Sequence, residues 1–385
     1  MKRGKYARNR EDGFTLVELM VALTLGAVVI ASVYTVGAAS SRHFQEQQRV
    51  SQLQLSTRIA LERLRRDVSL AGFGGTPDST ADSLRACGTV AGTPAFFGVT
   101  VVDEDSDGRA ALDTMAGAAD SSVEADRLRL TGNFDTGDVY LVRDYANGTI
   151  NLQTAWQGFR RSFIDSTGTA FDTDLVERVF EDGRIVRITH PTGGTFFATI
   201  SNVTASATGV AITLSSNLPT CADVCMGCTI APLSGVEYFL AEAPAELAPT
   251  NVAATGPNTV LMRGLFDPAT GVAIANSARP VLEWAIHFDV DALVNLAAAG
   301  NPPNVVLQDD TTVDGAGALR ASGIYSLDVT VGARTPEQDN RFPWVAPAAG
   351  DALNRFHVFI DRPGAMRVRT ARAEILLPNI AYRGM

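Results

Sequence analysis

The chain has 385 residues, 46% of them apolar and 19% charged, with a formal net charge of −10. That length supplies one large core or two smaller ones. The acidic balance speaks against nonspecific nucleic-acid binding, which needs dense Lys and Arg against phosphate. Residues 1–13 run against the average: five basic side chains (Lys2, Arg3, Lys5, Arg8, Arg10) and two acidic ones (Glu11, Asp12) give +3, leaving −13 for the remainder. The body is rich in Gly, Thr, Ser, Asp and Ala, with little lysine beyond residue 5, a composition that suits a β-rich extracytoplasmic domain.

The first element is Phe14 to Ala39, 26 residues whose only charge is Glu18. About 20 apolar residues at ~1.5 Å rise span a bilayer core. Basic residues precede the run and none lies within it, so the N-terminus is expected to stay cytoplasmic while the rest crosses. Arg42 and His43 end the run. A secretory signal peptide would have a shorter apolar region followed by a small-x-small cleavage site, and here the helical pattern continues straight through. A plain anchor leaves unexplained why a carboxylate lies five residues into the run, where it is costly without a partner.

The residues Gly13-Phe14-Thr15-Leu16-Val17-Glu18-Leu19 resemble the cleavage and methylation motif of type IV prepilins. The resemblance implies that a membrane aspartyl peptidase cuts after Gly13, that Phe14 becomes the N-methylated first residue, and that Glu18 docks to the free amine of a neighbouring subunit. Physical chemistry agrees: an α-amine in the membrane is a costly cation, and a carboxylate about one turn along the helix complements it across an interface.

From Arg42 to Leu70 there is no proline and the pattern turns amphipathic: Val50, Leu53, Thr57, Ala60, Leu64 and Val68 recur at three, four and seven residues. Glu62 precedes Arg66 by four, a favourable helical pair. The breakers in Ala71-Gly72-Phe73-Gly74-Gly75-Thr76-Pro77 end the helix. A continuous helix from Phe14 to Leu70 would measure about 85 Å. Its inner half needs lipid or a bundle of like helices. Gly26 and Gly37 lower helix propensity and are read as ordinary membrane-helix glycines, with close helix packing as the alternative. Many major pilins carry a proline midway along this helix; here the first after the cut is Pro77.

Beyond residue 77 short β-like runs alternate with turns: Arg127–Thr131, Asp138–Arg143, Arg184–Thr189, Phe196–Ile200, Val210–Leu214, Val236–Leu240, Thr259–Arg263, Val281–Val290, Ile324–Val331 and Arg367–Leu377. Asn147-Gly148 and Asp182-Gly183 predict tight hairpins. Asp291–Ala299 reads as a short helix, and Ala241–Pro257 and Gly300–Gly317 as loops or joins. The fold class is therefore α+β: a long hydrophobic N-terminal helix packed on an antiparallel, sheet-rich globular head. The expected segments are a leader over 1–13, a membrane or filament-core helix over 14–40, its amphipathic continuation over 41–75, and the head over 76–385, with room for an inserted subdomain.

Leu55–Gly74 resembles the helix end of minor pilins of the PilW kind. Val281–Asp291 and Ile324–Thr335 resemble strands of that head and of the related J pseudopilin of type II secretion. Chain length favours the pilus subunit over the shorter pseudopilin.

The four cysteines, Cys87, Cys221, Cys225 and Cys228, are disulfide candidates in an oxidising periplasm. Each of the three pairings joins Cys87 to one member of the later cluster and leaves the other two to each other; which one stays open. Cys225-x-x-Cys228 also has zinc-ligand spacing, without a second CxxC or a nearby histidine to complete it. Asp103, Asp105 and Asp107, followed by Gly108, match the opening of an EF-hand calcium loop. The twelfth position holds Thr114 with Asp113 beside it, in place of the usual glutamate, so a solvated acidic turn competes with a structural Ca2+ site. The four histidines, His43, His190, His287 and His357, are scattered, and no GxSxG, HExxH or P-loop is present. Arg367 and Arg369 fall on one strand face and read as a solvated face or a small contact patch.

Together these readings predict no enzyme and no required cofactor. They predict a single-pass inner-membrane subunit with a periplasmic head that later joins a surface pilus. The implied partners are major and minor pilins, the prepilin peptidase and methyltransferase, and the inner-membrane assembly machinery. The implied role is to prime assembly, at the filament tip. A secretion pseudopilin, and a tip adhesin or DNA-capture subunit, are the alternatives.

Overall fold

A computed structural model describes residues 15–79, 95–103, 124–164, 171–206, 209–218, 225–251, 258–295, 304–308, 323–345, 354–359 and 362–381. Helix α1 runs from Leu16 to Leu70, 55 residues without a proline. Two compact units divide the chain, Met1–Gln52 and Leu53–Met385. Within the second, Leu53, Thr57, Ala60, Leu64 and Val68 are buried, as their spacing predicts. Asp67 is buried on the same face, which the spacing does not predict. Glu62 meets Arg65 at 3.9 Å and not Arg66. Both side chains are exposed, so the pair contributes at most ~1 kcal/mol.

The remaining elements, in chain order, are β1 (Val99–Asp103), β2 (Glu124–Gly132), β3 (Tyr140–Ala146), β4 (Thr149–Leu152), α2 (Gln157–Phe163), α3 (Thr173–Val179), β5 (Ile185–Thr189), β6 (Thr195–Ser206) and β7 (Gly209–Leu214). Then come β8 (Thr229–Glu242), β9 (Thr259–Phe266), β10 (Arg279–Glu283), β11 (Ala285–Asn295), β12 (Val305–Gln308), β13 (Ile324–Arg334), β14 (Arg355–Phe356), β15 (Met366–Leu376) and α4 (Pro378–Ala381). Among the described residues the strands join in the order β14-β15-β13-β11-β2-β8-β3-β4-β7-β6-β5, with β1 on β2, β9 on β8, β10 on β9 and β12 on β11. The pairing of β11 with β2 is parallel; the ladders on either side of it are antiparallel. The fold is thus α+β, a long N-terminal helix followed by an antiparallel, sheet-rich region.

Two large hydrophobic clusters fill the second unit. One joins α1 residues Leu53, Ala60, Leu64 and Val68 to β1, β2, β8, β9, β11, β13 and β15. The other joins β3 to β7 with α2 and α3, around Tyr140, Phe159, Phe163 and Phe180. Strand β8 serves both: Ile230 lies in the second cluster, and Val236, Tyr238 and Leu240 lie in the first. Its nearly uninterrupted burial reflects cover on both faces.

The helix stops where the breakers predict. Gly72 and Gly74 take φ of +72° and +67°. The Gly72 N–H donates to Thr131 O at 2.8 Å, and the Asn133 N–H to Phe73 O at 2.8 Å, stitching the turn to β2. A Cβ on Gly132 would lie 2.7 Å from Leu70 O, so glycine is required there. Asn379, from α4, donates through Nδ2 to Ser69 O at 2.9 Å and satisfies a carbonyl left open by the end of the helix.

Several expectations need correction. Asp291–Asn295 is the end of β11, not a helix, because Ala292 and Val294 face the core at a spacing of two and the strand pairs with both β12 and β13; residues 296–299 lie outside the described residues. That two-sided pairing overrides local helix propensity. Val281–Val290 is not one strand: Trp284, at φ +58°, breaks it into β10, which pairs with β9, and β11, which pairs with β13. Asn147-Gly148 does turn β3 into β4, at φ of +51° and +78°. Asp182-Gly183 instead follows α3 and leads into β5, with Gly183 at φ +85°. Short α2 and α3 were not legible; α3 is capped by Asp172, whose Oδ1 accepts from the Leu175 N–H at 2.9 Å.

The carboxylate of Asp67 fixes α1 to the sheet. Its Oδ2 accepts from Tyr238 Oη at 2.8 Å and from Arg263 Nε at 2.6 Å. Burial, then the charge and hydrogen bond of Asp67, push the Tyr238 phenol well above its ordinary range. Burial alone would lower Arg263, but the hydrogen bond and charge of Asp67 outweigh it and hold the guanidinium above its ordinary value. Replacing Asp67 with Ala strands the Arg263 cation and should cost about 3 kcal/mol. Tyr238→Phe removes one charge-assisted bond and should cost ~1.5 kcal/mol. Denaturant midpoints check both, and a double-mutant cycle should show coupling, since the residues share one carboxylate.

Tyr140 supplies a pH dependence. Burial, with the charges of Asp138 and Asp135 adding to it, outweighs the nearby hydroxyls of Ser162 and Thr136 and pushes its phenol up to about 12. A raised pKa means that the folded state holds the proton longer than the unfolded chain, whose tyrosines ionise near ~10. The stabilisation is therefore complete below about pH 10 and is lost as pH rises towards about 12. Urea unfolding across that range should show a steeper alkaline loss in the parent chain than in Tyr140→Phe, which keeps the raised phenol of Tyr238.

Candidate functional site

The N-terminal motif is the strongest candidate. Gly13 and Phe14 lie outside the described residues. Thr15 begins the described chain and caps α1: its Oγ1 accepts from the Glu18 N–H at 3.2 Å, and its carbonyl accepts from the Leu19 N–H at 3.1 Å. Thr-x-x-Glu is the signature of a capping box, and the Glu18 carboxylate also lies at the positive end of the helix dipole. The Thr15 cap escaped the sequence reading, although that spacing could have shown it.

The helix after Glu18 is apolar on every side. Leu16, Val17, Leu19, Met20, Val21 and Leu23 are each at least half exposed. Its most hydrophobic 18 residues have a mean hydropathy of 2.4, none of it buried, which is long and apolar enough to cross a membrane. Three hydroxyls are satisfied within the helix: Thr24 donates to Val21 O at 2.9 Å, Ser32 to Val28 O at 2.8 Å and Thr35 to Ser32 O at 2.9 Å. These bonds suit a medium that offers no hydrogen-bond partner. Glu18 is the one charge in Leu16–Ala39, and among the described residues no salt bridge neutralises it. Nothing lies within 4 Å of a Cβ added at Gly26 or Gly37, so no packing within the chain requires glycine there.

The other candidates fall apart from this site. Cys225 and Cys228 are joined by a disulfide, which takes both thiols away from zinc. That is the short pair left over in one of the three pairing schemes; Cys87 and Cys221 lie outside the described residues. Asp103 closes β1, with Asp126 opposite in the register; Asp105, Asp107 and Asp113 of the calcium candidate lie outside the described residues. Among the described residues no group of three His, Cys, Asp or Glu is placed to hold a metal ion. His43 contacts Gln47, His190 contacts Thr192, His287 lies 4.0 Å from Asp289 and His357 stacks on Trp344, so the four stand apart from one another. Arg367 is not a solvated cation: it donates to Asp339 at 3.1 Å and lies over the Phe342 ring at 4.4 Å.

Comparison with known proteins matches the same segment. The family described as the prokaryotic N-terminal methylation motif matches residues 8–34. No curated protein matches the chain. Among solved structures, a type IV-like pilin from Thermus thermophilus overlays with a TM-score of 0.22 at 13% identity, over 54% of this chain and 93% of its own. At that score the overlay carries no argument, and the weight rests on the motif and on α1.

The disulfide closes a ring of only four residues, Cys225 to Cys228, for which chain entropy predicts about 2 kcal/mol. Replacing both cysteines with Ser should lower the unfolding free energy by at least that amount, since both sites are buried in an apolar cluster, and leave N-terminal processing unchanged. Denaturant titration and intact mass measure the two.

Proposed function

We propose that this pilin-like chain is a minor type IV pilin: an exported inner-membrane subunit, cut after Gly13 and methylated on Phe14, that helps to prime a filament and resides at its tip. The observation that carries the reading is the methylation motif over residues 8–34 on a helix whose only early charge, Glu18, has no salt-bridge partner among the described residues. An unpaired carboxylate in hydrocarbon is retained when a partner outside the subunit complements it. The N-terminal amine that cleavage would expose on a neighbouring pilin is such a partner. In this reading the segment Phe14–Ala39 holds the subunit first in lipid and then in the filament core, the β-rich region lies in the periplasm and later at the surface, and the peptidase, methyltransferase and assembly machinery are its partners.

The deciding measurement is the N-terminal mass of the protein from cells with and without prepilin peptidase. The expected result is a chain beginning at methylated Phe14, seen only with the peptidase. An intact Met1, or a cut near residue 40, would sink the reading. Glu18→Ala should still be processed, yet its share in sheared filaments should fall by about 100-fold, the equivalent of ~3 kcal/mol for an unneutralised charge in the membrane. Gene deletion separates the roles: a priming subunit leaves few filaments, whereas a tip adhesin or DNA-capture subunit leaves filament number intact and abolishes attachment or uptake.

A further inference from the structure

Among the described residues, strand β15 has one closed side and one open side. It pairs with β13 from Ser326–Leu376 through Arg334–Val368. On the other side, among the described residues, it meets β14 at Met366 and Arg367, with one further bond from the Val368 N–H to Asn354 O at 3.1 Å. The Thr335 N–H donates to Arg367 O at 2.8 Å and the Leu377 N–H to Tyr325 O at 3.0 Å, so the odd-numbered residues turn their backbone groups to β13. The even-numbered residues Thr370, Arg372, Glu374 and Leu376 therefore turn theirs to the open side, because the direction alternates along a strand. Among the described residues no strand pairs with them there.

The same four side chains are exposed, and Leu376 is 70% exposed. Ala371 and Ala373 are small and half-buried on the opposite face. Arg372 is held in place by two bonds to Asp328, at 2.8 and 2.5 Å, and Glu374 accepts from Ser326 Oγ at 2.8 Å. Edge strands recruit other strands unless they are short, bulged or charged. This edge is long, and its two charges have opposite sign.

The charge order is complementary to itself. If a second copy pairs antiparallel about a two-fold at Ala373, the even-numbered residues face one another. Arg372 then stands opposite Glu374 of the second copy, Glu374 opposite its Arg372, and Thr370 opposite its Leu376. A two-fold at Arg372 would set arginine against arginine, and one at Glu374 would set glutamate against glutamate, both unfavourable. We propose that the open edge of β15 is a self-association surface through which two copies of this chain join their sheets about a two-fold at Ala373. The occupant is a second copy because one register, and neither of its neighbours, sets opposite charges against each other at both positions. The inference does not depend on the pilin reading.

In that register Ala373 faces its own equivalent in a non-hydrogen-bonded pair, with Cα atoms about 4.5 Å apart, inside the range that a disulfide spans. Thr370 would lie about 20 Å from its equivalent, six residues along at ~3.4 Å each. Full-length Ala373→Cys in membranes, oxidised and run on a non-reducing gel, should give a disulfide-linked dimer of the chain. Thr370→Cys and the parent should not. Adding Arg372→Glu, or Glu374→Arg, turns two attractive pairs repulsive and should lower the dimer yield about tenfold. Adding both reversals together should restore it, which separates lost charge pairing from lost folding. The proposal is overturned if Ala373→Cys gives no dimer, if it links instead to a different protein, if Thr370→Cys dimerises as well, or if the double reversal fails to recover the yield.

Discussion

A single buried carboxylate, Asp67, joins the two materials of which this chain is made. The apolar face of α1 from Leu53 to Val68 is drawn to the sheet by the hydrophobic effect, which has no direction. Direction comes from Asp67, whose one oxygen is bound by Tyr238 on β8 and Arg263 on β9. Those residues stand opposite each other in the β8–β9 ladder. The helix is therefore registered against two strands at once, and a shift of one turn would leave a charge buried without its partners. The stitches from Gly72, Phe73 and Ser69 to β2 and α4 then fix where the chain leaves the helix.

The second organising element is β8. Fourteen residues long, it carries side chains into both large clusters and pairs with β2 and β9 in one part of its length and with β3 and β5 in another. Two cores then share a strand and no hinge separates them, so residues between β2 and β8 can build a second core without a second domain boundary. The aromatic group around Tyr140 fills that core, with ring centroids 5.1 Å from Phe163 and 5.5 Å from Phe180.

What was legible in the sequence follows from how local each signal is. The helix spacing of Leu53, Thr57, Ala60, Leu64 and Val68, the glycine-rich stop and the motif around Gly13 and Glu18 are all written within a few residues, and the first two stand in the fold as read. Asp67 was not legible, because a lone charge in an amphipathic helix is ordinarily solvated and its partners lie 171 and 196 residues away. The break at Trp284 was hidden for a similar reason: its N–H is held by Asn258 Oδ1 at 2.9 Å and its carbonyl accepts from the Arg334 N–H at 2.9 Å. Distant residues thus impose a left-handed conformation that the local β-pattern does not announce. The tail of β11 read as helix because Ala and Leu favour one, and only its neighbours β12 and β13 decide otherwise.

The attachment of α1 also has a mechanical meaning. A pull applied along the helix enters the β-rich region first where Leu53 and Thr57 pack, and meets its charged anchor at Asp67. There it is passed through two side chains to β8 and β9, which are themselves held together by eight register pairs from Gly235–Phe266 to Glu242–Thr259. The load falls across a ladder whose bonds must break together, instead of peeling one strand from an edge. A pull along the helix would thus be spread over two paired strands through the junction at Asp67.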